Sequence, residues 1–339
     1  MIRVCAIGTY AHRQPLAYPQ IRAEVCRRIQ LVERPESADL VVVAHSKDLD
    51  SHATQLARLS PSQRLALLSE EPFWDTVWGY GPLARDLQHP TKHGTLRVAQ
   101  LNHQTSAIFQ FRQIPYFLLT DTHYTTRYGV WFSEMAHYRP ADWAEHFKAV
   151  NGRTAFVMAH RQSPRYDVAF AGTEVQSLCN QRTAVAEACR GNDVMYLGQR
   201  WQDGPPRQTI TDWHLDKYLR LKNRFHFVSA IENTHQHQYI TEKIFDAWAV
   251  GAVPLYMAGP KHRVHQLALP GTWLNLMDIQ PEDVPAHLAA HVQTPEFLEA
   301  YTAQQKIIAR LVGTSETWRA ELERLGQALV HEFSQLLAG

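Results

Sequence analysis

Short apolar runs alternate with helically spaced apolar positions along most of this chain. Ile2–Ile7, Leu40–Ala44, Leu65–Leu68 and Tyr116–Leu119 have the length and composition of buried parallel strands. Ala23–Val32 carries a helical pattern between the first two. Strands that alternate with helices predict an α/β layer structure. Pro140–Arg165, rich in polar and basic residues, reads as a switch region, after which the pattern restarts. Asp167–Ala171 reads as a strand ending at Gly172. Asn180 reads as the cap of a helix over Gln181–Arg190, with Gly191 just past its end. Asp193–Leu197, closed by Gly198, is the next strand. Tyr218–Lys222 falls on a helix, Phe225–Ala230 on a strand and Thr241–Val250 on a helix. Ala252–Met257 is a strand before the Gly259-Pro260 turn. From Ser315 onward, Leu322, Leu325, Leu329, Phe333 and Leu336 share one helical face, an ordinary packing stripe.

The expectation is two Rossmann-like domains facing a cleft. The first spans 1–150 and the second 151–315, with a helix over 316–339 packed on the body. Open parallel sheets of this kind bind ligands at the carboxyl ends of their strands. A chain of 339 residues is long enough for two such domains. Its 45% hydrophobic and 20% charged residues are those of a globular protein. A formal net charge of +1 gives no reason to expect a nucleic acid as partner. Cys5, Cys26, Cys179 and Cys189 match neither a zinc ribbon nor a CxxC pair and read as reduced thiols. The opening MIRVCAIGTY lacks the charged and apolar regions of a signal peptide, and no window reaches ~18 uninterrupted apolar residues. These features lead us to expect a cytoplasmic protein, or one peripheral to the inner membrane.

The chemistry concentrates in FHFVSAIENTHQHQYITEKIFDAWAVGAVPLYMAGP, residues 225–260. A strand ends at Ala230-Ile231, and Glu232 and Asn233 emerge at its carboxyl end. A loop then leads into a helix that Thr241 can cap. A helix N-terminus presents free N–H groups and roughly +0.5 of a charge, a natural seat for phosphate. Lys243 on the first turn adds a full positive charge. Glu242 would repel phosphate, so its carboxylate suits ribose hydroxyls. This division of labour points to a nucleotide carrying a diphosphate.

The run strand–IENT–loop–YITEK–helix–GAVPLY resembles the signature of the α1,3/α1,4-fucosyltransferases. That signature is an aromatic-Glu-Asn-Ser/Thr, a short spacer, Tyr-(Val/Ile)-Thr-Glu-Lys, then Gly-Ala-Val-Pro. Residues Gly271–Asp278 resemble the family's following strand and Asp. The likeness covers roughly residues 165–280 well and the first half weakly. It implies the GT-B fold of an inverting enzyme, of the bacterial type without a membrane anchor. It also implies GDP-fucose as donor, an oligosaccharide or glycolipid hydroxyl as acceptor, and no metal cofactor. Tyr239, Glu242 and Lys243 would bind the GDP, and Asn233 would shape the loop or contact the donor. Arg182, near the start of an earlier helix, would reach the diphosphate through the paired donors of its guanidinium. Two departures bear on the donor sugar. Ile231 replaces the aromatic, and the Thr-His-Gln-His-Gln spacer lacks the acidic residue or Gly often found before the Tyr.

An inverting transfer needs a general base for the acceptor hydroxyl. The family takes it from a strand followed by Glu-Ser-Pro or Gly-Glu-Asn in its first domain. Here RLALLSEEP aligns Glu70 with that base, or Glu71 if the register slips by one. A metal-dependent transferase would use an Asp-x-Asp after a strand, and Asp48-Leu49-Asp50 is such a triplet, more ordinarily a polar loop. His235 and His237 in the site loop read as loop residues, as sugar contacts, or as a weak metal pair. Tyr124, Arg127 and Tyr128 form an aromatic-basic patch assigned to the first domain. Trp74 and Trp78 read as core or as an acceptor platform. The rival readings are a sister transferase using another nucleotide sugar and a non-catalytic nucleotide-sugar or glycan-binding protein. Only a transferase needs Glu70.

Overall fold

Runs of Val, Leu and Ile become strands buried on both faces, as the parallel sheets of α/β proteins require. The computed structural model describes residues 1–77, 81–201 and 209–338. The chain divides into two compact units, Met1–Thr122 with Ser315–Gly339, and His123–Thr314. Residues 123–150, assigned from the sequence to the first domain, therefore lie in the second unit. The C-terminal helix Ser315–Ala338 belongs to the first, burying Trp318, Leu325, Leu329 and Phe333.

Unit 1 runs β1 (Ile2–Ala6), α1 (Pro19–Val25), β2 (Ile29–Leu31), β3 (Leu40–Val43), α2 (Ser46–Ser51), α3 (Ala53–Leu56), β4 (Arg64–Leu68), β5 (Asp86–Thr91) and β6 (Gly94–Leu101). Its sheet has the order β2-β1-β3-β4-β6-β5, parallel except for β5. The helix expected over Ala23–Val32 stops at Val25, and Ile29–Leu31 turns into an edge strand parallel to β1. Tyr116–Leu119 is not a strand. Pro115 precedes a 3-10 helix over Tyr116–Thr120, and Tyr116, Leu118 and Leu119 are buried from that turn.

Unit 2 opens with α4 (Thr122–Met135) and α5 (Pro140–Ala149), followed by β7 (Gly152–Val157), β8 (Gln176–Ser177), α6 (Cys179–Ala188), β9 (Val194–Leu197), α7 (Trp213–Leu221), β10 (Phe225–Ser229), β11 (Thr234–His235), α8 (Glu242–Ala249) and β12 (Val253–Tyr256). It ends with α9 (Val264–Leu267), β13 (Leu274–Asn275), α10 (Val284–Ala290) and α11 (Pro295–Gly313). Its main sheet, β13-β12-β10-β7-β9, is wholly parallel. The expected switch region instead holds α5 and β7, a strand at the heart of this sheet. Asp167–Ala171 is not a sheet strand. Pro164–Tyr166 forms a 3-10 turn, and Ala169 makes only an isolated bridge to Gln176. Asn180 lies inside α6 rather than capping it, and exchanges hydrogen bonds with the Ser163 backbone at 3.0 and 3.1 Å.

α8 buries nearly its whole circumference, with Ile244, Phe245, Ala247, Trp248 and Ala249 at 0% exposure. It stops at Gly251, whose φ of +78° favours glycine, and a Cβ there would sit 2.8 Å from the His146 ring. Among the described residues, no helix is long and apolar enough to cross a membrane. Cys5, Cys179 and Cys189 are buried free thiols and Cys26 is an exposed one.

Candidate functional site

In unit 2, β10 delivers Ala230, Ile231 and Glu232 to the carboxyl end of the sheet. Glu232 is only 2% exposed. Its Oε1 accepts from the Thr241 N–H at 2.8 Å and the Thr241 hydroxyl at 2.7 Å. Its Oε2 accepts from Lys243 Nζ at 2.7 Å. The start of α8 is not the row of free donors expected of a helix N-terminus. Here Glu232 takes the Thr241 N–H, the Thr241 hydroxyl accepts from the Lys243 N–H at 3.5 Å, and the Glu242 carboxylate bonds its own N–H. The helix terminus is satisfied from within. Glu232 is the residue whose part the sequence did not disclose. Burial raises its pKa, against the pull of Lys243.

Lys243 keeps 23% of its side chain exposed, so a ligand can reach it. Burial lowers its pKa, but Glu232 and Glu242 outweigh burial and hold it above the usual value. Burial acts to raise the Glu242 carboxyl, but Lys243, Lys217 and His214 hold it well below the usual carboxylate range. Glu242 is therefore held in its ionised form. Behind it, Asp246 pairs with the buried ammonium of Lys217 and accepts from the Tyr128 hydroxyl at 2.8 Å.

Arg182 comes to this place through a backbone clip. β8 and β11 pair antiparallel, and Leu178 N–H donates to the Asn233 carbonyl at 3.0 Å, so the start of α6 is tied to the IENT loop. Arg182 is 4% exposed and donates to the Ile231 carbonyl at 3.4 Å. Its Nε is buried with no hydrogen-bond partner among the described residues. An orphaned donor of this kind asks for an explanation, and an anionic ligand supplies one. Burial and Arg161 lower its pKa, opposed by Cys179, Glu232 and Tyr239. Asn233 is half-buried, and its backbone does the tying. Tyr239 is 3% exposed, and its carbonyl accepts from Tyr256. His235 uses both ring nitrogens to pin the loop, donating to the Glu174 carbonyl at 2.6 Å and accepting from Gly259 N–H at 2.8 Å. His237 is exposed.

In unit 1, the loops that follow β1, β3 and β4 carry a second cluster. Glu70, two residues past β4, is 6% exposed and accepts hydrogen bonds from Tyr18 and Tyr116. Burial pushes its carboxyl up to about 7, helped by Glu71 and opposed by the two phenols and Arg13. Glu71 lies 3.4 Å from Arg13 and is more open to solvent. Asp75, which the sequence did not single out, is 2% exposed, accepts from Ser69 Oγ at 2.8 Å and pairs with Arg13 at 3.1 Å. Burial lifts it to about 7 as well.

The two carboxylates of the Asp-x-Asp triplet have separate tasks. Asp48, fully buried, accepts from the Thr9 and Tyr10 N–H groups at 3.0 and 3.1 Å. It fills the space a side chain at Gly8 would need, since a Cβ there would lie 2.3 Å from the carboxylate. Asp50 bonds His89 at 2.7 Å. Asp48→Ala should therefore destabilise the protein by about 1–3 kcal/mol through two deprived N–H groups. A lowered urea midpoint checks this, and an unchanged midpoint would return Asp48 to the list of functional carboxylates. Trp74 packs on Phe73 with ring centroids 4.6 Å apart and is 9% exposed. Trp78 lies outside the described residues. Tyr124, Arg127 and Tyr128 belong to unit 2, on α4. Tyr124 and Tyr128 are buried, and Arg127 pairs with Asp212.

Residues 194–316, about a third of the chain, match the family model described as glycosyltransferase family 10 (fucosyltransferase) C-term. No curated protein matches the chain. Among solved structures, an alpha1,3-fucosyltransferase with GDP-fucose aligns with 13% identity and a TM-score of 0.44, over 100% of this chain and 90% of its own. A crystal structure of alpha1,3-fucosyltransferase without a named ligand aligns with 15% identity and a TM-score of 0.44, over 90% and 80%. One with GDP aligns with 13% identity and a TM-score of 0.43, over 100% and 90%. Over residues 194–316, which hold Glu232, Tyr239, Glu242 and Lys243, the chain is thus similar to the C-terminal domain of the family 10 glycosyltransferases, the fucosyltransferases.

Proposed function

We propose that this protein is an inverting glycosyltransferase that moves fucose from GDP-fucose to a hydroxyl of a glycan acceptor. The carrying observation is the constellation at the start of α8. Lys243 stands beside the ionised Glu242 in the segment that matches the fucosyltransferase family, and the charge of Arg182, whose buried Nε has no hydrogen-bond partner among the described residues, is felt at Lys243. In this reading unit 2 supplies the donor site. Lys243 and Arg182 take the diphosphate, Glu242 accepts the ribose hydroxyls, and Tyr239 and Asn233 shape the loop around them. Unit 1 supplies the base. Glu70 removes the proton of the acceptor hydroxyl as its oxygen bonds to the anomeric carbon. The bond from that carbon to the phosphate oxygen breaks, and its electron pair leaves with GDP. Charge that develops on the diphosphate is met by the two cations, a task a metal performs in other transferases.

Calorimetric titration with GDP, UDP and CDP tests the donor reading. GDP should bind with clear preference, and a chelator should leave both binding and turnover intact. Equal affinity for the three nucleotides would remove the support for a GDP-sugar, and loss of activity with chelator would bring a metal back. The same titration separates the sister transferase using a different nucleotide from the fucosyltransferase reading.

A further inference from the structure

Three separated stretches of unit 1 converge on Glu70. Tyr18 stands directly before Pro19 and α1, and its hydroxyl lies 2.8 and 2.9 Å from the two carboxylate oxygens. Tyr116 opens the 3-10 turn after Pro115 and donates to Oε2 at 2.8 Å. His103, just beyond β6, donates from Nε2 to the Glu70 backbone carbonyl at 2.7 Å. That imidazole stacks on Phe109, with centroids 4.3 Å apart, and Phe109 meets the Tyr116 ring edge-on at 4.9 Å. Backbone and carboxylate are thus held by one packed aromatic group.

We infer that Tyr18, Tyr116 and His103 are positioning residues that aim Glu70, and that Oε1 is the oxygen that takes the acceptor's proton. The inference rests on the reading of Glu70 as the base. Each carboxylate oxygen offers two lone-pair directions. Oε2 receives both phenols, Tyr18 through a hydrogen shared with Oε1. Among the described residues, Oε1 receives only Tyr18 and keeps a vacant direction. A glutamate in a loop would otherwise rotate about its side-chain bonds, and a base misplaced by an ångström loses much of its advantage.

Burial keeps both phenols protonated, so both remain donors, and burial keeps His103 neutral with its pKa down to about 3. Besides the phenols, the charged groups that act on the Glu70 carboxylate are Glu71, which raises its pKa, and Arg13, which lowers it. Donors to a carboxylate favour its ionised form. Removing either phenol hydroxyl should therefore raise the pKa of Glu70, whereas the loss of packing alone would not.

The test is a pH titration of carboxyl-labelled glutamates by carbon NMR in the wild type, Tyr18→Phe and Tyr116→Phe, with Glu70→Gln assigning the signal. Alongside it, the pH dependence of kcat/KM is followed for release of GDP from GDP-fucose with water as acceptor. Melting curves and GDP titration establish that each variant is folded with its donor site intact. Both variants should titrate Glu70 higher than wild type, by about one pH unit, and the acid limb of kcat/KM should move the same way. Folded variants that titrate as wild type, with an unmoved limb, would overturn the inference. If Tyr116→Phe does not fold, Tyr18→Phe, at a more open position, decides alone. A fully active Glu70→Gln would fell the base reading and this inference with it. An inactive Glu70→Gln with an unmoved limb in the phenylalanine variants would fell only the positioning.

Discussion

Replacing Glu70 by Gln is expected to lower turnover by at least ~100-fold while GDP affinity holds. The amide keeps the shape of the side chain and still accepts from a phenol through its one oxygen, but it has no basicity. GDP affinity should hold because the residues proposed to bind GDP all lie in the other unit. A second readout comes from stability. The pKa of Glu70 is raised from 4.5 to about 7 on folding, so the folded state binds its proton more tightly. That contribution is complete below the unfolded value of 4.5 and is lost as pH rises through about 7. Above that window the ionised carboxylate is a cost, on the order of 3 kcal/mol at most. Glu70→Gln should therefore melt higher than wild type at pH ~8, with the difference shrinking toward pH ~5. Unchanged turnover would remove Glu70 from the mechanism whatever the melting curves show.

Lys243→Ala is expected to weaken GDP by about 10–100-fold, as the loss of a charge-assisted hydrogen bond of about 1.5–3 kcal/mol implies. Free guanosine, which has no phosphate, should bind as before. The same change strands Glu232, 2% exposed and bonded to the lysine at 2.7 Å. Breaking a buried pair on one side costs about 3–5 kcal/mol. The single variant should thus lose stability as well as affinity. The double variant Lys243→Ala/Glu232→Gln separates the two effects. It should recover most of the stability and none of the GDP affinity. Recovery of affinity in the double variant would mean that the lysine acts through Glu232 and not on the phosphate.

The parallel strands were readable because burial on both faces leaves unbroken apolar runs. β1, β3, β4, β10 and β12 fall where those runs lie. Where a run is short, the pattern does not separate a strand from a buried turn. Tyr-Phe-Leu-Leu at 116–119 is apolar because a 3-10 helix tucks it into the core, and Pro115 was the cue for a turn. β7 was missed for the opposite reason. GRTAFV has polar residues at its first positions, and only the sheet order shows that it sits between β10 and β9.

The site divides in the same way. Thr241, Glu242 and Lys243 are contiguous, and their place at a helix start was visible in the sequence. The pairing of Lys243 with Glu232 spans 11 positions across a loop. The partners of Glu70 lie 52, 46 and 33 residues away. No local spacing rule reaches that far. Arg182 was found only through the family resemblance, and the structure adds its burial and its unpartnered Nε.

The most direct test of the account is release of nucleoside diphosphate from GDP-fucose and from UDP- and CDP-sugars, each with a panel of glycans, for wild type and Glu70→Gln. The expected result is glycan-dependent release of GDP from GDP-fucose by the wild type, lost in the variant. Release from a UDP- or CDP-sugar with GDP-fucose inert would contradict the account, as would equal release by the two proteins.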